Sequence, residues 1–206
     1  HVPLTEQPEY NGTQLIHSKV IASYLRQLLR NDLQYAPFRM EGMEQDVREM
    51  MEIDTPQGKL ALQIGGTIDR LDSKGDTLRI VDYKTGGTPK TPENIEQLFT
   101  PADNRPNYIF QTFLYAAILC RKQSLKVAPS LLYIHQAASE SYSPVIEMGA
   151  PRQPKVPVNN FAFFEDEFRE RLHGLLQEIF SQEETFSQTE DTRKCEYCDF
   201  RSLCKR

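Results

Sequence analysis

The amino-acid sequence predicts one mixed α/β core, its elements running α-β-β-β-α-β, with a C-terminal helix and a cysteine-bearing tail. Three observations carry that reading. Apolar residues near the start keep helical spacing. Three segments of strand character follow, with tight turns between them. A strongly apolar helix then leads into one more strand.

The first helix is expected over 12–30, where Ile16, Val20, Tyr24, Leu25, Leu28 and Leu29 recur at helical intervals. Asp32 and the following Pro37 end it. Strands are expected over 38–53, 59–71 and 77–83. The turns between them are Thr55-Pro56-Gln57-Gly58 and Asp72-Ser73-Lys74-Gly75-Asp76, so the three form an antiparallel meander. Residues 86–107 make a long polar loop containing Pro89, Pro92, Pro101 and Pro106, and loops of that length usually carry function or lack order. A helix over 108–122 and a strand over 130–136 complete the core. A second long helix places Phe161, Phe164, Phe168, Leu172, Leu175 and Ile179 on one face. From Ser181 the chain is polar, so the sequence divides into a core over 1–180 and a tail over 181–206.

A chain of 206 residues suits one domain with a sizeable core. No apolar run approaches the roughly 20 residues of a membrane helix, the longest being 109–120. The start is not a signal peptide, because no basic stretch precedes an apolar one. His1-Val2-Pro3 reads as the start of a cut fragment. The net charge of −5 gives no overall support for nucleic-acid binding and does not exclude it, since a DNA footprint is local. Arg193, Lys194, Arg201, Lys205 and Arg206 form one basic stretch, most simply a solvated tail. Of the four cysteines, Cys195, Cys198 and Cys204 crowd together while Cys120 sits in an apolar run. That distribution suits metal ligation and a reducing, cytoplasmic setting better than disulfides.

The chemistry is expected where the second and third strands end. Asp69 follows Ile68, and Asp82 follows Val81, although acidic residues are disfavoured within strands. Two carboxylates converging across a hairpin can bind a hard divalent cation such as Mg²⁺ or Mn²⁺. Lys84 lies two positions beyond Asp82, hence on the same strand face. An ammonium there can orient a metal-bound water and offset the charge of a pentavalent phosphate. A lone D-x-K would be most simply a surface ion pair. Asp69 on the preceding strand and Gly86 after the segment favour the metal site.

Gly66-Thr67-Ile68-Asp69-Arg70-Leu71-Asp72, followed by Ile80-Val81-Asp82-Tyr83-Lys84-Thr85-Gly86, resembles the G-x-x-D-R-x-D … D-Y-K-T-G pattern of RecB-type nucleases of the PD-(D/E)xK superfamily. The resemblance implies a restriction-endonuclease-like core and Mg²⁺- or Mn²⁺-dependent hydrolysis of DNA. Asp69, Asp82 and the main-chain carbonyl of Tyr83 would hold the metal, and Lys84 would position the attacking water. Gln111 and Tyr115 resemble the family's Q-x-x-x-Y motif, whose i,i+4 spacing sets both on one helical face beside the site. Cys195-x2-Cys198-x5-Cys204 resembles the C-terminal cysteine trio of AddB-type helicase–nuclease subunits and of CRISPR-associated RecB-like exonucleases. There the trio, with one more cysteine N-terminal to the nuclease core, holds an iron–sulfur cluster of the 4Fe–4S type.

Two departures from the pattern point the same way. The family's motif-one histidine has no clear counterpart, because the helix bearing His17 runs directly into the first strand, and His17 reads as a helix-surface residue. The fourth cluster cysteine is missing too, Cys120 reading as a buried core thiol. Glu41 reads as solvent-facing. Glu44 is balanced between solvent and the metal site. Arg70 and Asp72 are expected to orient the hairpin or approach phosphate. The expected parent is a DNA repair or recombination exonuclease with this chain as its C-terminal domain and a helicase domain or subunit as partner. A stand-alone CRISPR-associated exonuclease is one alternative, and a non-catalytic DNA-binding scaffold is another.

Overall fold

The computed structural model describes residues 10–102, 104–139, 141–181, 187–189 and 192–205. Helix α1 (Gly12–Tyr35) opens on a capping box, Asn11 accepting from the Gln14 amide and Gln14 accepting from the Asn11 amide. It runs several residues past the expected end at 30. Three strands follow: β1 (Arg39–Thr55), β2 (Gly58–Lys74) and β3 (Thr77–Lys84). The polar loop holds one short helix, α2 (Glu96–Phe99), where none was expected. Helix α3 (Asn107–Cys120) then crosses to β4 (Lys126–Tyr133). Two short strands, β5 (Glu147–Met148) and β6 (Val156–Pro157), precede a 3₁₀ turn at Phe161–Phe163 and helix α4 (Glu165–Ile179).

The main sheet has the order β1-β2-β3-β4. Its first two pairings are antiparallel and the last is parallel, as the meander and the helical crossover require. Strand β4 starts earlier and ends earlier than expected. It takes in Pro129, which pairs with Ile80; a residue lacking an N–H is tolerated there because β4 is the sheet's edge.

The core lies on one face of the sheet. Leu71, Ile80 and Leu131 pack there against Ile109, Phe113 and Ala116 of α3 and against Phe168 and Leu172 of α4. Phe113, Phe161 and Phe168 form an aromatic cluster with ring centroids 4.9–6.2 Å apart. A second, smaller cluster on Val81 and Leu132 receives Tyr24 and Leu28 of α1. The other apolar residues expected on that helical face stay exposed, Ile16 by 63% and Leu29 by 62%. Helix α1 is instead tied down by polar contacts. Asp32 accepts twice from Arg70 at 2.9 Å, Lys74 donates to the Tyr35 carbonyl, and the Arg79 guanidinium lies 3.5 Å from the Tyr35 ring centroid.

Candidate active site

The site forms where β2 and β3 leave their shared ladder. The last paired residues are Arg70 and Val81, so Asp69 and Asp82 stand opposite each other one step further on. An Asp69 carboxylate oxygen accepts from the Tyr83 amide at 2.8 Å, which fixes that carboxylate across the hairpin. Asp82 is buried. Its Oδ2 lies 2.5 Å from the Lys84 ammonium. Burial pushes the Asp82 carboxyl above its ordinary value. Lys84 pulls the other way, and the nearby Asp69 charge adds to the rise.

Helix α3 closes the site from the core side. The Lys84 ammonium donates to Gln111 Oε1 at 3.4 Å and lies 4.3 Å from the ring centroid of Tyr108. Gln111 donates in turn to the Tyr115 hydroxyl at 3.0 Å. Tyr115 is buried and rests on Gly66, where an added Cβ would stand 2.6 Å from the hydroxyl. Glycine at 66 is therefore a condition for this close approach of strand and helix. The structure thus brings together Asp69, Asp82, Lys84, Gln111 and Tyr115, with Tyr115 acting through Gln111 and not at the surface.

Elsewhere the structure meets some expectations and corrects others. Arg70 and Asp72 do not approach a phosphate site, because both are buried within an ion network. Asp72 accepts from Arg70 at 2.9 Å and from Arg79 at 2.9 and 2.7 Å, while Arg70 also donates to Asp32 and to the Tyr83 hydroxyl. They orient the hairpin, the other half of the expectation. Glu41 is exposed, as expected, with contacts to Ser73 and Arg39. Glu44 falls beside Asp69 in register, between the pairs Met43–Arg70 and Gln45–Ile68. It is exposed there, in left-handed backbone (φ 48°), and does not join the site. His17 is an exposed residue of α1.

Among the described residues no three His, Cys, Asp or Glu side chains gather where they could hold a metal ion. Cys195, Cys198 and Cys204, all free thiols, are accordingly not assembled into a ligand set. Cys120 is partly and not wholly buried. Its thiol is pushed up to about 11 by burial, with Glu165 adding and Arg169 opposing. The donors that do converge are the two hard carboxylates Asp69 and Asp82. Oxygen donors of this kind, one of them buried beside the Lys84 ammonium, fit a hard divalent cation completed by main-chain oxygen and water. Sequence reasoning missed Tyr108 and Tyr133. The first sits under the Lys84 ammonium and the second pairs with Lys84 in the β3–β4 ladder. Tyr108 stands three positions before Gln111, on the same helical face, which was the one available clue.

A four-stranded mixed sheet with its carboxylates and lysine at the open end of a hairpin, backed by a helix, is the restriction-endonuclease-like architecture of metal-dependent nucleases. The chain belongs to the PD-(D/E)XK nuclease superfamily, whose family model matches residues 3–205. No curated protein matches the chain. Among the described residues no helix is long and apolar enough to cross a membrane.

Proposed function

We propose that the chain is the catalytic domain of a Mg²⁺- or Mn²⁺-dependent deoxyribonuclease, an exonuclease of DNA repair or recombination. In this reading it is the C-terminal domain of a cytoplasmic helicase–nuclease-like protein. Asp69 and Asp82, with the Tyr83 carbonyl, would hold the cation, which when bound would supply Lewis acidity toward water and charge screening at the phosphate. Lys84 would orient the attacking water and balance charge at phosphorus. Gln111 holds the ammonium in place and Tyr115 holds Gln111. The observation that carries the reading is the buried Asp82 carboxylate, paired with Lys84 and standing opposite Asp69 at the open end of the hairpin. A carboxylate kept so at an open hairpin end is suited to ligation and costly otherwise.

The cysteine trio is assigned to an iron–sulfur cluster of the larger protein, with its fourth ligand outside the tail. What supports that assignment is the spacing of Cys195, Cys198 and Cys204 alone.

The test has two arms. Calorimetric titration with Mn²⁺ should show one site in the wild type that is lost in Asp82→Ala. Lys84→Ala should bind Mn²⁺ nearly as before and cut linear DNA at least about a hundredfold more slowly. Equal Mn²⁺ binding by wild type and Asp82→Ala would end the metal assignment, and undiminished cutting by Lys84→Ala would remove the lysine from the mechanism.

A further inference from the structure

Beside the candidate site lies a cavity of about 330 Å³, near the lower end of the ~300–1,000 Å³ typical of small-ligand sites. Its inner wall is the buried ring of Tyr133 and its floor includes the buried Ile109. Tyr108, 44% exposed, forms the side nearest the site, and the same ring lies 4.3 Å from the Lys84 ammonium. Cavity and site therefore share a wall. Gly87 lines the cavity between the two rings, in left-handed backbone that favours glycine. Its φ is +80°, and an added Cβ would come within 3.4 Å of the Tyr108 ring and 3.8 Å of the Tyr133 ring. The rim carries Lys90 and Arg105. The Lys90 ammonium donates to the carbonyls of Asn104 at 2.7 Å and Arg105 at 3.3 Å, so it ties the two ends of the loop together while keeping its charge at the rim. A larger cavity of about 510 Å³ opens elsewhere on this loop, but no residue of the candidate site lines it.

A cavity of mixed lining with the partly exposed Tyr108 ring on one side and a cationic rim, placed beside a candidate phosphodiester site, has the chemistry of a base-stacking platform. Aromatic faces take any base, and the rim charges suit the flanking phosphates. The partly exposed Tyr108 ring gives this cavity its stacking face on the side toward Lys84. We propose that this cavity is a subsite for a single unstacked nucleobase of the DNA strand, adjacent to the phosphodiester at Lys84, with Tyr108 as its stacking and positioning residue. The inference rests on the nuclease reading for the identity of the strand. A base still paired at a duplex end must first leave its partner to enter, so opening of the end limits cleavage of paired DNA.

The experiment is an abasic scan. Single-stranded oligonucleotides, each lacking one base at a successive position, are cut by the wild-type chain with Mn²⁺. One position relative to the cut should slow cleavage about tenfold, on the scale of one lost stacking partner. In Tyr108→Leu the intact strand should slow to that level and the missing base should no longer matter, while Tyr108→Phe, which keeps the ring, restores the penalty. Thr88→Trp fills the cavity from its rim and should likewise slow the intact strand and erase the penalty, which covers a failure of Tyr108→Leu to fold. A flat scan in the wild type, or a penalty that survives in Tyr108→Leu, overturns the subsite and leaves the nuclease reading standing. If the wild type cuts nothing, a fluorescent adenine analogue in the same strand, bound to Asp82→Ala, decides the matter. Quenching on binding that Tyr108→Leu abolishes keeps the subsite while the nuclease reading falls, and no quenching rejects both.

Discussion

Helices α1 and α3 lie on opposite faces of one sheet and are held there by opposite means. Helix α3 buries eight of its fourteen residues, among them Ile109, Phe113 and Ala116, in the main core. Helix α1 is ten residues longer and buries only Asn31. Its hold on the sheet comes from Asp32 on Arg70 and the cationic stacks on Tyr35, with Tyr24 and Leu28 adding partly buried contact to the smaller cluster. Both helices read as apolar faces in the sequence. The difference teaches that helical spacing says which residues share a face and not whether anything covers it. It also separates two tasks. Helix α3 positions Gln111 and Tyr115 through dense packing, whereas α1 touches the site through charge, by way of Arg70 and the Tyr83 hydroxyl.

The largest effect expected from this contrast is in the α3 core. Phe113 is wholly buried among Phe161 and Phe168, so Phe113→Ala should cost about 3–5 kcal/mol by removing apolar contact and leaving a cavity. Urea unfolding measures it, and a cost below about 1 kcal/mol would mean that α3 is not the packed partner described above.

A smaller effect comes from the cation. At a hundredfold excess over its dissociation constant, Mn²⁺ should stabilise the chain by about 2.7 kcal/mol. Its pH dependence follows from Asp82. Burial holds that carboxyl above 3.8, so the metal-free fold binds the proton more tightly than the unfolded chain does. Stability from this group is then full below the ordinary carboxylate value and lost as pH rises through the raised one. The cation needs the ionised form. The Mn²⁺ gain should therefore run the other way, growing with pH through that window and fading as pH falls through it. Thermal melts across pH, with and without Mn²⁺, would refute the linkage by giving a constant gain.

Much of the site was legible because its parts are close in sequence or regular in spacing. Asp69 and Asp82 sit at two ends of one tight hairpin, Lys84 follows by strand alternation, and Gln111 and Tyr115 are a helical turn apart. What escaped reading depends on contacts between distant segments. Asp32 meets Arg70 across 38 positions, and Lys84 reaches Gln111 across 27. Neither the loop that sets Gly87 beside Tyr108 nor the turn of Glu44 away from Asp69 is written in a local period. The early start of β4 was hidden by Pro129, which argues against a strand unless one already knows that the strand is at the edge.

Tyr83 lets the link from α1 to the site be measured. Its amide holds Asp69 and its hydroxyl accepts from Arg70 at 3.0 Å. Tyr83→Phe removes only the hydroxyl, so it should cost about 1.5 kcal/mol, the low end for a hydrogen bond with one charged partner. It should also weaken Mn²⁺ binding, because the Asp69 contact is then less firmly placed. Combined with Asp32→Asn in a double-mutant cycle, the two costs should be less than additive, since both act through Arg70. Strict additivity would separate α1 from the site.

The smallest expected effect lies on the exposed side of α1 and tests the comparison most directly. Leu29 is 62% exposed, and Ile21, Leu25 and Leu33 lie at four-residue intervals from it, exposed by 57%, 54% and 76%. Alanine is at least as good a helix former as leucine, and Leu29 is mostly in water, so Leu29→Ala removes little buried area and loses no propensity. The cost in urea unfolding should stay within about 0.5 kcal/mol, as for surface substitutions generally. The same substitution at Leu28, which packs on Val81 and Leu132, should cost more, because that side chain reaches the smaller cluster. A cost above about 2 kcal/mol at Leu29 would show that this face is covered in solution. Repeating the measurement across a range of protein concentrations would then tell self-association, where the cost changes with dilution, from contact within one chain, where it does not.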